Sequence, residues 1–175
     1  VRQADLVRTL FGYVPQERAI DRFLTGREHL ELLGALYHLT KEEAAKKLIS
    51  LWLEKYRENP RSGLIVAATN HWNDHLNQVA QESRLKAGLL GPETLPMGSE
   101  TFRIGDRVLF TGKSKDIGVI KGDLGTITAM RGSGLTVHLD TEKTVKVPTS
   151  TFRDIRLGYS ITTHRSQGAT VDNVL

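Results

Sequence analysis

The chain has 175 residues, 39% apolar and 25% charged, which is enough for a folded domain with a proper core. Its net charge of +4 is a mild bias toward polyanionic partners, and the lack of cysteine excludes disulfides and thiolate metal sites and fits a cytoplasmic setting. No apolar run approaches the roughly 20 residues that span a bilayer, and no signal-peptide pattern opens the chain, so no membrane insertion is expected.

Residues 1–60 are expected to be helical. Ala19, Ile20, Phe23 and Leu24 share a face before Thr25 and Gly26 end the first helix, and Leu30, Leu33 and Leu36 form the stripe of a second. Thr40 and Glu43 have capping-box spacing, and the helix they open should run to about Arg57 with Ala44, Leu48, Leu51, Trp52 and Tyr56 on its buried side. Asn59 and Pro60 stop it. The continuous apolar run from Gly63 to Thr69 suits a central parallel strand covered on both faces. Thr69 or Asn70 should cap a helix over about 71–87, with Trp72, Leu76 and Val79 on one face. Two prolines and two glycines make 89–99 read as a linker.

From Phe102 the period changes to two. The runs 102–110, 125–130, 135–139 and 144–147 alternate apolar and polar residues between glycine-rich turns, which suits a small β-barrel rather than a sandwich. The chain then returns through Tyr159, Ile161 and the Thr162–Thr163 pair, a buried strand by its β-branched and aromatic residues. The expected architecture is α/β: a parallel sheet with a helical N-terminal segment and a compact inserted barrel.

The chemistry is sparse. No Gly-x-x-x-x-Gly-Lys-Ser/Thr loop and no acidic pair after a strand are present, so a self-sufficient ATPase is not expected. His71 and His75 stand four residues apart without a third ligand at suitable spacing, and fit a helix surface better than a metal site. Lys113, Lys115 and Lys121 flank Gly118, Gly122 and Gly125, a pattern that serves a solvated hairpin or a loop holding nucleic-acid phosphates. The stretch 162–168 gathers hydroxyl, imidazole, guanidinium and amide groups before Gly168, at the end of a strand where open α/β sheets bind phosphorylated ligands. On residue types alone it serves equally as a polar turn.

Two resemblances bear on this. Residues 12–16 with 24–30 look like the glutamine-loop region of ABC transporter ATPases, with Gln16 as the glutamine, but the Leu-Ser-Gly-Gly-Gln signature of that family is absent. The order of segments along the whole chain resembles the second RecA-like domain of RecD-type superfamily 1 helicases. The likeness is greatest to the helicase part of conjugative transfer relaxases of the TraA kind (MobA/TraI-like). Val1 to Gln3 is similar to the end of motif IV, and Gly26, Arg27, Ala44 and Trp52 fit the helical stretch after it. Residues 64–70 with Leu76 and Asn77 resemble the family's strand and "LN" helix, 102–110 and 118–125 the start of its SH3-like inserted barrel, and 159–168 its motif V.

The resemblance implies a P-loop NTPase-type sheet and assigns roles. Arg2 would be an arginine finger on the γ-phosphate of ATP, and Gln3, Gln167 and Gly168 would lie at the nucleotide cleft. Thr162, Thr163, His164, Arg165 and Ser166 would meet single-stranded DNA, with Thr69, Asn70 and Lys121 as further phosphate contacts. Arg165 stands where lysine is commoner and Lys121 where asparagine is usual, which keeps or adds charge and puts amide-specific contacts in doubt. The resemblance divides the chain into a helical segment (1–60), a strand–helix unit with linker (61–100), the barrel (101–154) and a return strand with motif V (155–175).

The lack of an initiator Met and the stop within an apolar run lead us to expect a piece of a longer protein. The Walker motifs and the relaxase domain would precede it, and ATP and Mg²⁺ would be held mainly by the partner RecA-like domain. The expected whole is an ATP-dependent 5′–3′ DNA helicase acting with the conjugation machinery, the piece alone being inactive. The alternatives are a non-catalytic DNA-binding module derived from a helicase and an ABC-type nucleotide-binding domain.

Overall fold

The computed structural model describes residues 40–67, 69–162 and 173–174. The chain divides into two compact units, residues 1–48 and 49–175. Of the first, the described part is the start of helix α1 (Lys41–Tyr56). Its N-terminus is the expected capping box: the Glu43 amide donates to Thr40 Oγ1 at 3.3 Å, and the Thr40 amide donates back to Glu43 Oε2 at 2.7 Å. The Thr40 amide, and after it the Thr40 hydroxyl donating to the same Oε2 at 2.7 Å, hold the Glu43 carboxyl below its ordinary range.

The buried face of α1 contains Trp52 and Tyr56 as expected and differs from expectation in its other members. Ala45, Ile49, Trp52 and Tyr56 are buried, an i, i+4, i+7, i+11 stripe, and Leu51 is 51% exposed. Both stripes have helical spacing and share the aromatic pair, and a bond made by that pair sets which neighbours are covered with it. The Trp52 indole donates to Gly63 O at 2.8 Å, which fixes the rotation of the helix about its axis. Gly63 is required opposite, because a Cβ there would lie 2.3 Å from the Tyr56 ring.

After a 3-10 turn (Pro60–Ser62) the chain enters β1 (Gly63–Ala67), the middle strand of a parallel sheet ordered β10-β1-β9. β9 is Ser160–Thr162 and β10 is Asn173–Val174. Helix α2 (Asn70–Lys86) follows β1, and its buried residues are Asn73, Leu76, Asn77, Ala80 and Arg84. Trp72 and Val79, expected on that face, are half-buried at its margin. The residues expected as a linker contain a hairpin instead: β2 (Thr94–Met97) pairs with β3 (Glu100–Arg103) across Gly98 and Ser99. Pro96 misled because it lacks an amide, yet β2 is an edge strand, where a missing donor is tolerated. Gly98, at φ 64°, supplies the left-handed turn.

The run 102–110 is likewise broken. Asp106 accepts the Arg103 amide at 2.7 Å and turns the chain into β4 (Arg107–Phe110). With β5 (Leu124–Arg131), β6 (Gly134–Leu139), β7 (Thr144–Pro148) and β8 (Ile155–Leu157) it forms an antiparallel sheet ordered β7-β6-β5-β4-β8. The expected closed barrel is not found: among the described residues β7 and β8 are unpaired edges. A barrel needs an unbroken ladder around its circumference. Here a bulge between Ile127 and Ala129 bends β5, and the three-residue β8 adds to β4 rather than bridging to β7.

The inserted sheet does not stand alone. Leu109 and Leu124 from it share a buried cluster with Leu64 and Ile161 of the parallel sheet. Two residues, Gly158 and Tyr159, carry the chain from β8 to β9. A Cβ at Gly158 would stand 2.6 Å from the Val108 backbone, so the crossover lies directly against β4.

Candidate nucleic-acid interface at the parallel strand ends

β1 and β9 run side by side with Ile65 opposite Ser160 and Ala67 opposite Thr162. Their C-terminal ends therefore share one edge, the position at which open α/β sheets bind ligands. Thr69 follows at the end of β1 and caps α2, its Oγ1 accepting the Trp72 amide at 3.3 Å. Asn70 is the first residue of α2 and is exposed. Register thus brings Thr69, Asn70 and Thr162 to one edge. Of these, Thr162 is buried at 6% exposure, so the accessible side chains there belong to Thr69 and Asn70. Hydroxyl, amide and helix N-terminal N–H groups are donors suited to phosphate oxygens.

Lys121 stands on a different element, the turn before β5. That turn is ordered: the Ile120 amide donates to Asp123 Oδ2 at 2.9 Å, and Gly122, at φ 101°, sends its N–H to Phe110 O at 2.8 Å. Lys113, Lys115 and Lys121 are all exposed around it. Arg2, Gln3, Thr163, His164, Arg165, Ser166, Gln167 and Gly168 lie outside the described residues. His75, weighed as a metal ligand with His71, packs its ring edge-on to Trp72 at 5.6 Å.

The strand that leads to this edge is wired by Asn77 and Tyr159, named in the sequence for their likeness to the family's helix and motif V and not for these bonds. Asn77 Oδ1 accepts the amides of Tyr159 at 2.9 Å and Ser160 at 3.0 Å, and its Nδ2 donates to Ser160 O at 3.0 Å and Asn73 O at 2.9 Å. Tyr159 O, by contrast, faces β1 and accepts the Ile65 amide at 3.3 Å. The Asn77 carboxamide therefore occupies the edge of β9 away from β1 as a neighbouring strand would, using all four of its hydrogen-bonding positions.

A second centre is Asp106, fully buried at the β3–β4 turn. Its Oδ1 accepts the Tyr159 hydroxyl at 2.6 Å, and its Oδ2 accepts Gln81 Nε2 at 2.6 Å as well as the Arg103 amide. Burial pushes the Asp106 carboxyl up, while the bonds from Tyr159, Gln81 and Arg103 and the charge of Arg84 pull it back. Burial, then the charge of Asp106, raises the Tyr159 phenol well above its usual value, so it stays a hydroxyl donor. The ring packs edge-on to Trp52 at 5.8 Å. Nearby, Glu100 Oε2 accepts the Leu157 amide at 3.2 Å, and burial raises that carboxyl as well. The available signal was Asn73, Asn77 and Arg84 on the same helical face as Leu76 and Ala80, a polar stripe where an apolar one belongs.

The architecture is α/β, a parallel sheet interrupted by an antiparallel one. Among solved structures it is similar to the Pif1 helicase from Bacteroides in complex with ADP-AlF3 and ssDNA, at a TM-score of 0.49 and 18% identity over 89% of this chain and 43% of that one. The Pif1 helicase from Candida albicans is similar at a TM-score of 0.46 and 13% identity, over 82% of this chain and 45% of that one.

No family model matches the chain. By sequence it is homologous to the conjugal transfer protein TraA of Rhizobium radiobacter, 29% identical over 140 residues, and to that of Agrobacterium fabrum at the same identity. The match covers 77% of this chain and 13% of each relative, so the chain spans a small part of the curated relatives' length.

Proposed function

We propose that this chain is part of the second RecA-like domain of a RecD-type, ATP-dependent 5′–3′ DNA helicase within a conjugative relaxase. It supplies half of an ATP cleft and part of a single-stranded DNA track, in a cytoplasmic protein that works with the conjugation machinery. The observation that carries this reading is the register of β1 and β9, which sets Thr69 and Asn70 beside the strand end at Thr162. The homology to TraA and the order of sequence motifs support it. The five-stranded insert, whose last strand returns to its first, serves as the SH3-like module of such a motor.

In this reading Arg2 is the catalytic arginine, neutralising charge on the transferred phosphoryl group, with Gln3, Gln167 and Gly168 at the cleft. Thr69, Asn70, Lys121 and Thr162 to Ser166 follow the DNA backbone. Nothing at the described edge offers the carboxylates that magnesium prefers; Thr69 and Asn70 present a hydroxyl and an amide, so Mg²⁺ and the ATP phosphates fall mainly to the partner RecA-like domain. The full protein changed at Arg2→Ala should lose ATP hydrolysis by at least about 10³-fold while keeping its affinity for single-stranded DNA. A non-catalytic binding module would show no hydrolysis to lose. A greater loss from Gln16→Ala than from Gln167→Ala would favour an ABC-type site instead.

A further inference from the structure

We infer that Asn77, Asp106 and Tyr159 form a two-point clamp that positions the strand end at Thr162, one point held by helix α2 and the other by the inserted sheet. The inference rests on the motor reading for its consequence in DNA binding, and on geometry alone for the clamp itself.

β9 has three residues, too few to hold its own register through one ladder with β1. A slip by one residue would turn Thr162 from its present face to the opposite one. Two fixed points prevent this. At the first, the Asn77 carboxamide grips Ser160 through both its N–H and its C=O, together with the Tyr159 N–H. A one-residue slip breaks that pattern, because the N–H and C=O groups of successive strand residues point to opposite edges. At the second, the Tyr159 hydroxyl reaches Asp106, which belongs to the insert, while Gln81 of α2 meets the same carboxylate and also donates to Thr101 O at 2.8 Å. A displacement of the insert therefore pulls on Tyr159, and Tyr159 immediately precedes the strand that ends at Thr162. Asn77 and Asp106 make no hydrogen bond to Thr69, Asn70 or Thr162; they act through β9 and are positioning residues.

Two measurements on the full-length protein test this. In Asn77→Asp the side chain keeps its acceptor but sets a carboxylate oxygen against Ser160 O; in Tyr159→Phe the ring stays against Trp52 and one hydroxyl is lost. Hydrogen exchange should become at least about tenfold faster at the amides of Ile161 and Thr162, neither of which bonds to the altered groups. The oligothymidylate concentration that half-saturates ATP hydrolysis should rise about tenfold in Asn77→Asp and about threefold in Tyr159→Phe, the loss expected for single buried hydrogen bonds. The DNA-free rate and the KM for ATP should hold within about twofold, since the change acts on DNA engagement.

Unchanged exchange at Ile161 and Thr162 overturns the clamp. So does a proportional fall of the DNA-free and DNA-stimulated rates, which would mark general loss of folding. If the unaltered protein shows no DNA-stimulated hydrolysis, the motor reading fails by itself, and the exchange result still decides for or against the clamp.

Discussion

In the five-stranded sheet the inward residues are apolar: Val108, Phe110, Ile127, Leu135, Val137, Leu139, Val145 and Val147 are buried. In the parallel sheet the helix that covers β9 presents Asn73, Asn77 and Arg84 with Leu76 and Ala80. Apart from one buried fork, Arg107 on Asp140 at 2.7 and 2.6 Å, the first region is held by filled volume, which is non-directional and tolerates exchange among residues of similar size. The second is held by directional bonds, which fix one backbone position and tolerate little. An insert built the first way can be a rigid body, and a strand end wired the second way can be placed relative to it.

The largest effect expected from breaking this contrast comes from Phe110→Ala. Phe110 is fully buried on β4, its ring 6.0 Å from that of Phe152, and removing it should cost about 3–5 kcal/mol by urea unfolding. Phe110→Leu should recover most of that loss. If it does not, the insert depends on specific ring contacts and the contrast with the wired region weakens.

Asp106→Asn comes next. It preserves volume and replaces one acceptor oxygen with an NH2 group, which then faces either the Tyr159 hydroxyl or the Gln81 and Arg103 donors together, at a cost of about 1–3 kcal/mol. Burial raises the Asp106 carboxyl, so the sign of its pH dependence is set. Its favourable contribution is complete below the unfolded value of about 3.9 and declines as pH rises through the higher folded value. The variant lacks that decline, and its deficit should be larger at acid pH than at pH 7. A deficit that grows toward pH 7 would mean that the three donors outweigh burial.

The same contrast explains what could be read in advance. The insert strands were legible because period two survives in 134–139, in 144–148 and in β5 as far as its bulge after Ile127, where one face is packed with aliphatic residues. Thr40 and Thr69 were legible as caps because a cap is a local bond between near neighbours. The rotation of α1 was not, since Leu51 and Trp52 both fit a helical stripe and the Trp52 bond to Gly63 is set by tertiary packing. The clamp was out of reach for a related reason. Asn77 lies 83 residues from Ser160 and Asp106 lies 53 from Tyr159, and no local pattern announces such pairs. Of the candidate site, Thr69, Asn70 and Thr162 were named from motif likeness, and the register of two strands supplied their common edge.

Thr69→Ala sharpens the comparison at that edge. Loss of the cap to α2 should lower stability by about 1 kcal/mol, and Thr69→Ser should restore it, because the bond needs the oxygen and not the methyl group. If single-stranded DNA affinity falls in Thr69→Ala and returns in Thr69→Ser, the hydroxyl or the helix end it orders is a phosphate contact. Affinity that stays level in both would leave Thr69 a cap and nothing more.

The smallest stability change belongs to Lys121→Ala. The side chain is exposed in a turn held by backbone bonds of Gly122 and by the Asp123 carboxylate, so unfolding should be unaltered. Its effect, if it meets a phosphate, is electrostatic: binding to oligothymidylate should weaken equally for all sequences, and the slope of log affinity against log salt should flatten by about 0.7, the share of one phosphate on a single strand. Replacing a cation on an exposed turn of the insert would then alter DNA binding while leaving the fold untouched, whereas Asp106→Asn, at the bond that joins the insert to Tyr159, alters both. Equal salt slopes before and after Lys121→Ala would remove the insert's turn from the DNA track and confine the interface to the parallel strand ends.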